Sequence, residues 1–325
     1  MNLSKKIITQ VTMLLLCTLV FVNCTEDDDM STIQGKAQFE ITDAPIDDTN
    51  IEGTFVTITA VKVDGEVISD FDGTVTIDLM AYQNGDTKAL GFAELEAGTY
   101  SNVSLVLDYT QDADGNAPGC YVLTNDNVKH DLQATANSTS ELSLNTGDFT
   151  VEENSTTNLV IDFDVRKAIT NEGNASTNDQ YNFVTEAELR TSLRMVNKAT
   201  TARVEGEVND ATGVAGDRIV VYAYKKGTFN SNTETTGQGS SDITFKNAVS
   251  SAVVANDGSF NISFLESGEY ELHYVGYEDN NNDGKLEAKG MLQVNALGSL
   301  DILGLQLDAS ANVNVEVNVL AVIPF

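Results

Sequence analysis

Tryptophan is absent from this 325-residue chain, histidine occurs twice, and proline and cysteine three times each. Two histidines leave little material for imidazole-based triads or for zinc centres built on Cys and His spacing. The missing tryptophan removes the broadest surface on which a sugar ring can stack. Basic residues are scarce too: 18 Lys and Arg stand against 49 Asp and Glu, a formal charge of −31. Such a chain repels nucleic acid and anionic lipid headgroups, and it attracts cations. Dense carboxylates also keep a displayed protein soluble. A hydrophobic content of 41% is that of a folded chain rather than of a disordered acidic tail.

The chain has one long apolar run, residues 7–22, which follows Lys5-Lys6 and contains Gln10. A bilayer-spanning helix needs about 20 apolar residues, so the run is short for a permanent anchor. A basic start and a short apolar core make a signal peptide over residues 1–23. Phe21-Val22-Asn23-Cys24 resembles the lipobox of bacterial lipoproteins, with Phe21 and Asn23 where Leu and a small residue are usual. The resemblance implies that Cys24 is lipidated (a palmitate-type acyl anchor) and ties the protein to the outer membrane. An uncleaved signal anchor is the alternative. Residues 24–34 form an acidic tether. Within it Glu26-Asp27-Asp28-Asp29 resembles the surface-export signal of Bacteroidota lipoproteins, and a solvated spacer is the plainer reading. Cys17 leaves with the leader and Cys24 takes the lipid, so Cys120 has no partner for a disulfide.

Without the leader roughly 300 residues remain, enough for two domains. Strand and turn signals dominate them. Asp64-Gly65, Asn84-Gly85 and Asp257-Gly258 sit between apolar alternations, the pattern of tight hairpins whose turns need positive φ. Val313, Val315, Val317 and Val319 alternate with Asn312, Asn314, Glu316 and Asn318, which predicts one dry and one wet face. Ile161, Phe163 and Val165 alternate with Asp162, Asp164 and Arg166 in the same way. Residues 186–196 suit a helix or a strand almost equally. A break near 197–201 separates two β-rich segments. A six-residue echo links them: Leu95-Glu96-Ala97-Gly98-Thr99-Tyr100 and Leu265-Glu266-Ser267-Gly268-Glu269-Tyr270. The predicted fold is all-β, with two β-sandwich-like domains after a lipoprotein signal peptide, over residues 35–197 and 201–325.

The first segment carries Phe39-Glu40-Ile41-Thr42-Asp43-Ala44-Pro45, Val56-Thr57-Ile58, Val61-Lys62-Val63, Val106-Leu107-Asp108, Gly119-Cys120-Tyr121-Val122-Leu123 and Asp162-Phe163-Asp164. Together with Leu95–Tyr100 these resemble the bacterial family known only as domain of unknown function 4382. The resemblance implies an extracytoplasmic β-rich domain and supplies no activity. The second segment carries Val204-Glu205-Gly206-Glu207-Val208, Val220-Val221-Tyr222-Ala223 and Asp257-Gly258-Ser259-Phe260. It resembles a transthyretin-like or carboxypeptidase-regulatory-like β-sandwich, which implies an adhesive or spacer module.

The best-defined candidate site is Asp279-Asn280-Asn281-Asn282-Asp283-Gly284-Lys285-Leu286-Glu287. It matches the opening of a calcium loop. Ca²⁺ takes six to eight oxygens, here from Asp279, Asn281 and Asp283, the Lys285 carbonyl, and Glu287 directly or through water. Position twelve is Gly290 rather than Glu, and strands flank the loop, so a structural Ca²⁺ clip is expected rather than a switch. A metal-free turn is the alternative. Asp112-Ala113-Asp114-Gly115-Asn116 is a weaker echo and reads as a turn. His130, His273 and Cys120 read as structural, and Asp162 with Asp164 as a solvated carboxylate face. Tyr222, Tyr224, Tyr274 and Tyr277 offer a sugar platform or, more plainly, packing. No catalytic site is expected. The leading reading is a lipid-anchored, non-enzymatic binding or adhesive module with an extracellular protein or glycan ligand. The alternative is a glycan-binding accessory protein of polysaccharide uptake.

Overall fold

The alternating runs become strands, and the Asp-Gly and Asn-Gly pairs become their turns. The computed structural model describes residues 34–44, 48, 50–71, 73–171, 180–280, 286–298 and 300–325. Cys24 and the tether up to residue 33 lie outside the described residues, as do Asn281, Asp283 and Lys285 of the acidic loop, while Gln34 already belongs to the first strand. Asp64 and Gly65 take φ of 49° and 88°, the left-handed pair that a tight hairpin turn demands, and join Ile51–Val63 to its antiparallel neighbour Glu66–Val67. Asn84 and Gly85 take 58° and 93° but close no hairpin, because the strands on either side, Val75–Asp78 and Lys88–Glu96, lie in different sheets; Asp257-Gly258 likewise joins strands at opposite ends of one sheet.

The chain is all-β with two sheet-rich domains. In the first, a five-stranded sheet runs in the order Asn145–Thr146, Leu193–Asn197, Thr156–Asp164, Gln34–Ala44 and Lys88–Glu96. Gln34–Ala44 and Thr156–Asp164 are parallel neighbours, with Phe39 opposite Leu159 and Asp43 opposite Phe163. A second sheet runs Thr139–Ser143, Val103–Asp108, Ile51–Val63, Tyr121–Thr124 and Lys129–Asp131, with Glu66–Val67 and Val75–Asp78 also on Ile51–Val63. The two sheets enclose one core. Phe39, Ile41, Ile161 and Phe163 come from the first sheet, and Val56, Ile58, Leu105 and Val122 from the second, all fully buried. At about 1.5–3 kcal/mol per buried large apolar side chain, this core is the main stabilising term of the domain.

The second domain is one eight-stranded sheet, in the order Ser250–Val253, Arg218–Lys225, Gly268–Glu278, Glu287–Ala296, Asn312–Pro324, Thr201–Asn209 and Ser259–Glu266, with Leu305–Leu307 on Gly268–Glu278. Its inner face buries Val204, Val221, Leu272, Tyr274, Val315 and Val317. The valine alternation of the last long strand is as the sequence predicts: Val315, Val317 and Val319 are buried, and Asn312, Asn314 and Glu316 are exposed. Two strands are covered on both faces. Val220, Tyr222, Tyr224, Val275 and Tyr277 lie on the outer face of the sheet and pack under Phe245 and Ala248 of a long connection.

The six-residue echo marks equivalent corners. Tyr100 donates its hydroxyl to the Glu96 carbonyl at 2.8 Å, and Tyr270 donates to Glu266 at 2.9 Å. Each tyrosine thereby ties the end of one strand to the start of the next across a glycine. Residues 186–196 resolve their ambiguity by splitting: Glu186–Thr191 is a helix and Leu193–Asn197 a strand.

A further expectation is overturned. Asp162 and Asp164 are not on a solvated face, being each 3% exposed. Leu159, Ile161 and Phe163 face the first core, while Val160 on the opposite face packs with Val196 and with Phe264 of the second domain. That domain covers the face which the alternation leaves for water.

Candidate functional site

The acidic loop closes a hairpin. Gly268–Glu278 and Glu287–Ala296 are antiparallel, with Glu278 opposite Glu287. This register returns the ninth position of the motif to the first. The Asn280 amide donates to Glu287 Oε2 at 3.3 Å, and the Asp279 amide donates to Asp217 Oδ2 at 3.0 Å. Asp217 belongs to the neighbouring turn and was not anticipated from the motif. Two described members of the motif, Asp279 and Glu287, are therefore oxygen donors held at the two stems of one loop, and oxygen donors suit a hard cation. Among the described residues no three acidic, histidine or cysteine side chains converge as a metal-holding group.

The weaker echo is a turn, as read from the sequence. Asp112 Oδ1 accepts the amides of Asp114 (3.0 Å) and Asn116 (2.8 Å), so its carboxylate is engaged by its own backbone. The four tyrosines are packing residues: Tyr222 and Tyr224 are 0% exposed, Tyr274 1% and Tyr277 2%. Tyr222 and Tyr277 share a hydroxyl–hydroxyl bond of 2.6 Å in the interior. Cys120 is fully buried, and burial pushes its thiol up to about 12, the opposite of what a nucleophile needs. His130 bonds Thr124 Oγ1 at 3.2 Å and packs edge-on against Tyr181. His273 stacks on Phe229 at 3.7 Å, and burial lowers its pKa despite Glu271 nearby.

A cluster of charged side chains surrounds the two aspartates that the sequence placed in solvent. Asp43, Asp162 and Asp164 converge with Arg166, Lys167 and Arg194. Asp164 Oδ2 lies 3.0 Å from both Arg166 Nη2 and Lys167 Nζ, and Asp162 Oδ2 lies 2.6 Å from Arg194 Nη2. Asp43 accepts the Val165 amide at 3.1 Å and the Gln83 side-chain amide at 3.0 Å. Burial raises the Asp43 carboxyl well above the usual range, its hydrogen bonds offsetting only part. It also raises Asp162, against the pull of Arg194. At Asp164 burial pushes up as well, but Arg166 and Lys167 overcome it and hold the group below its ordinary value.

The cations of this cluster reach across the domain boundary. Arg166 Nη1 donates to the Phe245 carbonyl at 2.9 Å, Lys167 Nζ to the Ala248 carbonyl at 2.6 Å, and Arg194 Nη1 to the Phe264 carbonyl at 2.8 Å. The Arg166 guanidinium also lies 5.3 Å from the centre of the Tyr222 ring. Buried charges are tolerated when they are paired, and each of these cations pairs with a carboxylate of the first domain and donates to a carbonyl of the second, although Asp162 Oδ1 and Asp164 Oδ1 have no hydrogen-bond partner. A general acid or base must reach its substrate. Asp43, Asp162 and Asp164 are 3–5% exposed, so the cluster is a junction rather than a catalytic centre.

A surface groove of about 450 Å³ opens along the same boundary. Thr150, Thr156, Asn158, Asn197 and Thr200 line it with hydroxyls and amides, and Glu266 adds a carboxylate from the second domain. These groups suit hydrogen bonding to a polar ligand.

Residues 34–185 match the family model described as domain of unknown function (DUF4382). The match contains Asp43, Asp162, Asp164, Arg166 and Lys167. It stops before Leu193–Asn197, a strand that lies inside the five-stranded sheet and carries Arg194. Among solved structures, the chain is similar to the Bacillus anthracis TIE protein, at 10% identity and a TM-score of 0.20, with 88% of this chain and 34% of that one covered. It is similar to BcpA, the major pilin subunit of Bacillus cereus, at 10% identity and a TM-score of 0.20, covering 88% and 70%. A third is GBS52, the minor pilin of Streptococcus agalactiae, at 15% identity and a TM-score of 0.20, covering 89% and 97%. This chain thus spans about a third of the first of these proteins. Overlaps this loose carry neither a fold nor a function across. No curated protein matches the chain.

Proposed function

We propose that this protein is a lipid-anchored envelope protein that acts as a non-enzymatic binding or adhesive module at the cell surface. The observation that supports it best is the order of features along the chain: a basic, apolar leader ending at Cys24, an acidic run, then two sheet-rich domains joined by a buried junction. A lipid on Cys24 would tether the tip of residues 24–34, and the junction would hold the second domain outward as an extension of the first. Each buried CH₂ of an acyl chain contributes about 0.8 kcal/mol to membrane binding, so several chains anchor stably. Ca²⁺ in the 279–287 loop would brace the hairpin it closes in the second domain, with Asp279, Asn281, Asp283, the Lys285 carbonyl and Glu287 as its ligands.

Three measurements test the reading. Mass spectrometry of the mature N-terminus should find an acylated Cys24, and protease added to whole cells should digest the intact protein. An unmodified Cys24, or full protection from protease, overturns lipid-anchored display. Calorimetry with Ca²⁺ should give binding heat that is lost in the double variant Asp279→Ala, Asp283→Ala. Equal heats, or none in either protein, remove the metal.

A second reading is glycan binding in polysaccharide uptake, favoured by the hydroxyl- and amide-lined groove. The buried tyrosines do not contribute to it. Retention on a glycan array that is lost when Asn158 and Asn197 are both changed to alanine would favour this reading over simple adhesion.

A further inference from the structure

Residues 238–248 belong to the second domain by sequence but are held chiefly by the first. Glu188 Oε1 accepts the Ser240 amide at 2.8 Å, and Glu188 Oε2 accepts the Ser241 hydroxyl at 2.7 Å. Gly239 makes this approach possible: a Cβ there would lie 2.1 Å from Glu188 Oε1. Ile243 enters the core of the first domain. Arg166 takes the carbonyls of Thr244 (3.3 Å) and Phe245 (2.9 Å), and Lys167 takes that of Ala248. The opposite side of the segment belongs to its own domain. Phe245 stacks on Tyr222 at 4.5 Å and donates its amide to the Glu234 carbonyl at 2.7 Å, while the Asn247 amide meets Glu234 Oε2 at 3.1 Å.

The backbone of this segment is strained. Asp242 and Phe245 have φ of 53° and 50°. A bulky residue seldom adopts the left-handed region, because its Cβ crowds the carbonyl. Such conformations persist only where the surroundings over-determine them. Here the surroundings are side chains of both domains acting on one eleven-residue stretch.

We propose that residues 238–248 form a strained clasp, and that its local opening, ahead of global unfolding, is the step that releases one domain from the other. This goes beyond the proposed display role, because it concerns how the two domains are coupled whatever they bind. Proteins open in contiguous units of unequal stability, and a segment that combines backbone strain with borrowed partners is placed to open first.

Hydrogen exchange on the full-length chain, read by mass spectrometry, tests the clasp. Peptides covering 238–248 should exchange faster than the central strands of either domain. Glu188→Gln should speed exchange in those peptides roughly tenfold, since a charge-assisted hydrogen bond is weakened, and leave the strands unchanged. Asp242→Gly, which relieves the left-handed strain, should slow it. If Glu188→Gln does not fold, Ser241→Ala removes one of the same bonds and should act in the same direction. The proposal is overturned if the segment exchanges no faster than the strands, or if Glu188→Gln and Ser241→Ala accelerate every strand equally.

Discussion

Arg166 donates to the main-chain carbonyl of Phe245, 79 residues away, at 2.9 Å. One guanidinium thereby neutralises Asp164, caps a strained turn and lies over Tyr222. Its stem and its bond to Asp164 lie in one domain, and its bonds to the Thr244 and Phe245 carbonyls end in the other. Removing it leaves Asp164 with Lys167 as its ion-pair partner, takes a donor from the Thr244 carbonyl and leaves the Phe245 carbonyl with the Ala248 amide. Arg166→Met should cost about 3–5 kcal/mol, measured as a lowered urea midpoint. Arg166→Lys should recover little of that loss, because an ammonium cannot spread donors across a carboxylate and two carbonyls.

The three buried aspartates should respond unequally to amidation. Asp43 is pushed toward its protonated form by burial, and its two hydrogen bonds survive in Asn if the Gln83 amide turns over. Asp43→Asn should cost below about 1 kcal/mol. Asp164 is held ionised by Arg166 and Lys167, so Asp164→Asn strands two buried cations and should cost about 3 kcal/mol or more. Equal midpoints for the two variants would contradict this assignment of charge.

Acid should weaken the boundary through Glu188. Burial pushes this carboxyl up, but the bonds from Ser241, Thr185 and Ser240 and the nearby Lys246 outweigh it and hold the group at about 2, against an ordinary 4.5. A depressed pKa contributes stability that is full above the unfolded value and is lost as pH falls through the folded one. The contribution is present at pH 6 and mostly gone near pH 2. The difference in exchange of the 238–248 peptides between the unaltered chain and Glu188→Gln, compared at equal pH, should therefore shrink as pH drops from 6 toward 2.

Cys120 should be inert in the folded chain. With its thiol raised to about 12 and no exposed surface, it should resist iodoacetamide at pH 8 and react promptly once guanidinium unfolds the protein. Labelling of the native protein at the rate of a free thiol would show that the first core opens readily.

Gly206 should not tolerate a side chain. A Cβ at this position would lie 1.8 Å from the Val315 carbonyl oxygen, on the strand with which it pairs in parallel. Backbone cannot rotate away as a side-chain tip can. Gly206→Ala should cost about 1–3 kcal/mol and lower the thermal midpoint accordingly.

Local, repeating chemistry was legible in the residues alone. Alternation of Val315, Val317 and Val319 with polar neighbours defines a half-buried strand because the side-chain period of a strand is two. Asp64-Gly65 defines its turn because few other pairs take left-handed φ twice in succession. The matching Gly and Tyr of the two echoes mark equivalent corners, since the tyrosine reaches back only four residues. Composition alone also weighed against nucleic acid as a partner, through like-charge repulsion. What the sequence could not decide is what covers a face. Asp162 and Asp164 alternate with Ile161 and Phe163 just as a solvated row would, and their burial depends on Phe264, Phe245 and Ala248, which arrive from 80 to 100 positions later. Local periodicity records which side chains share a face, whereas the dielectric that face meets is set by whatever the rest of the chain packs against it. The tertiary structure therefore turned a row of expected surface carboxylates into the charged junction that joins the two domains.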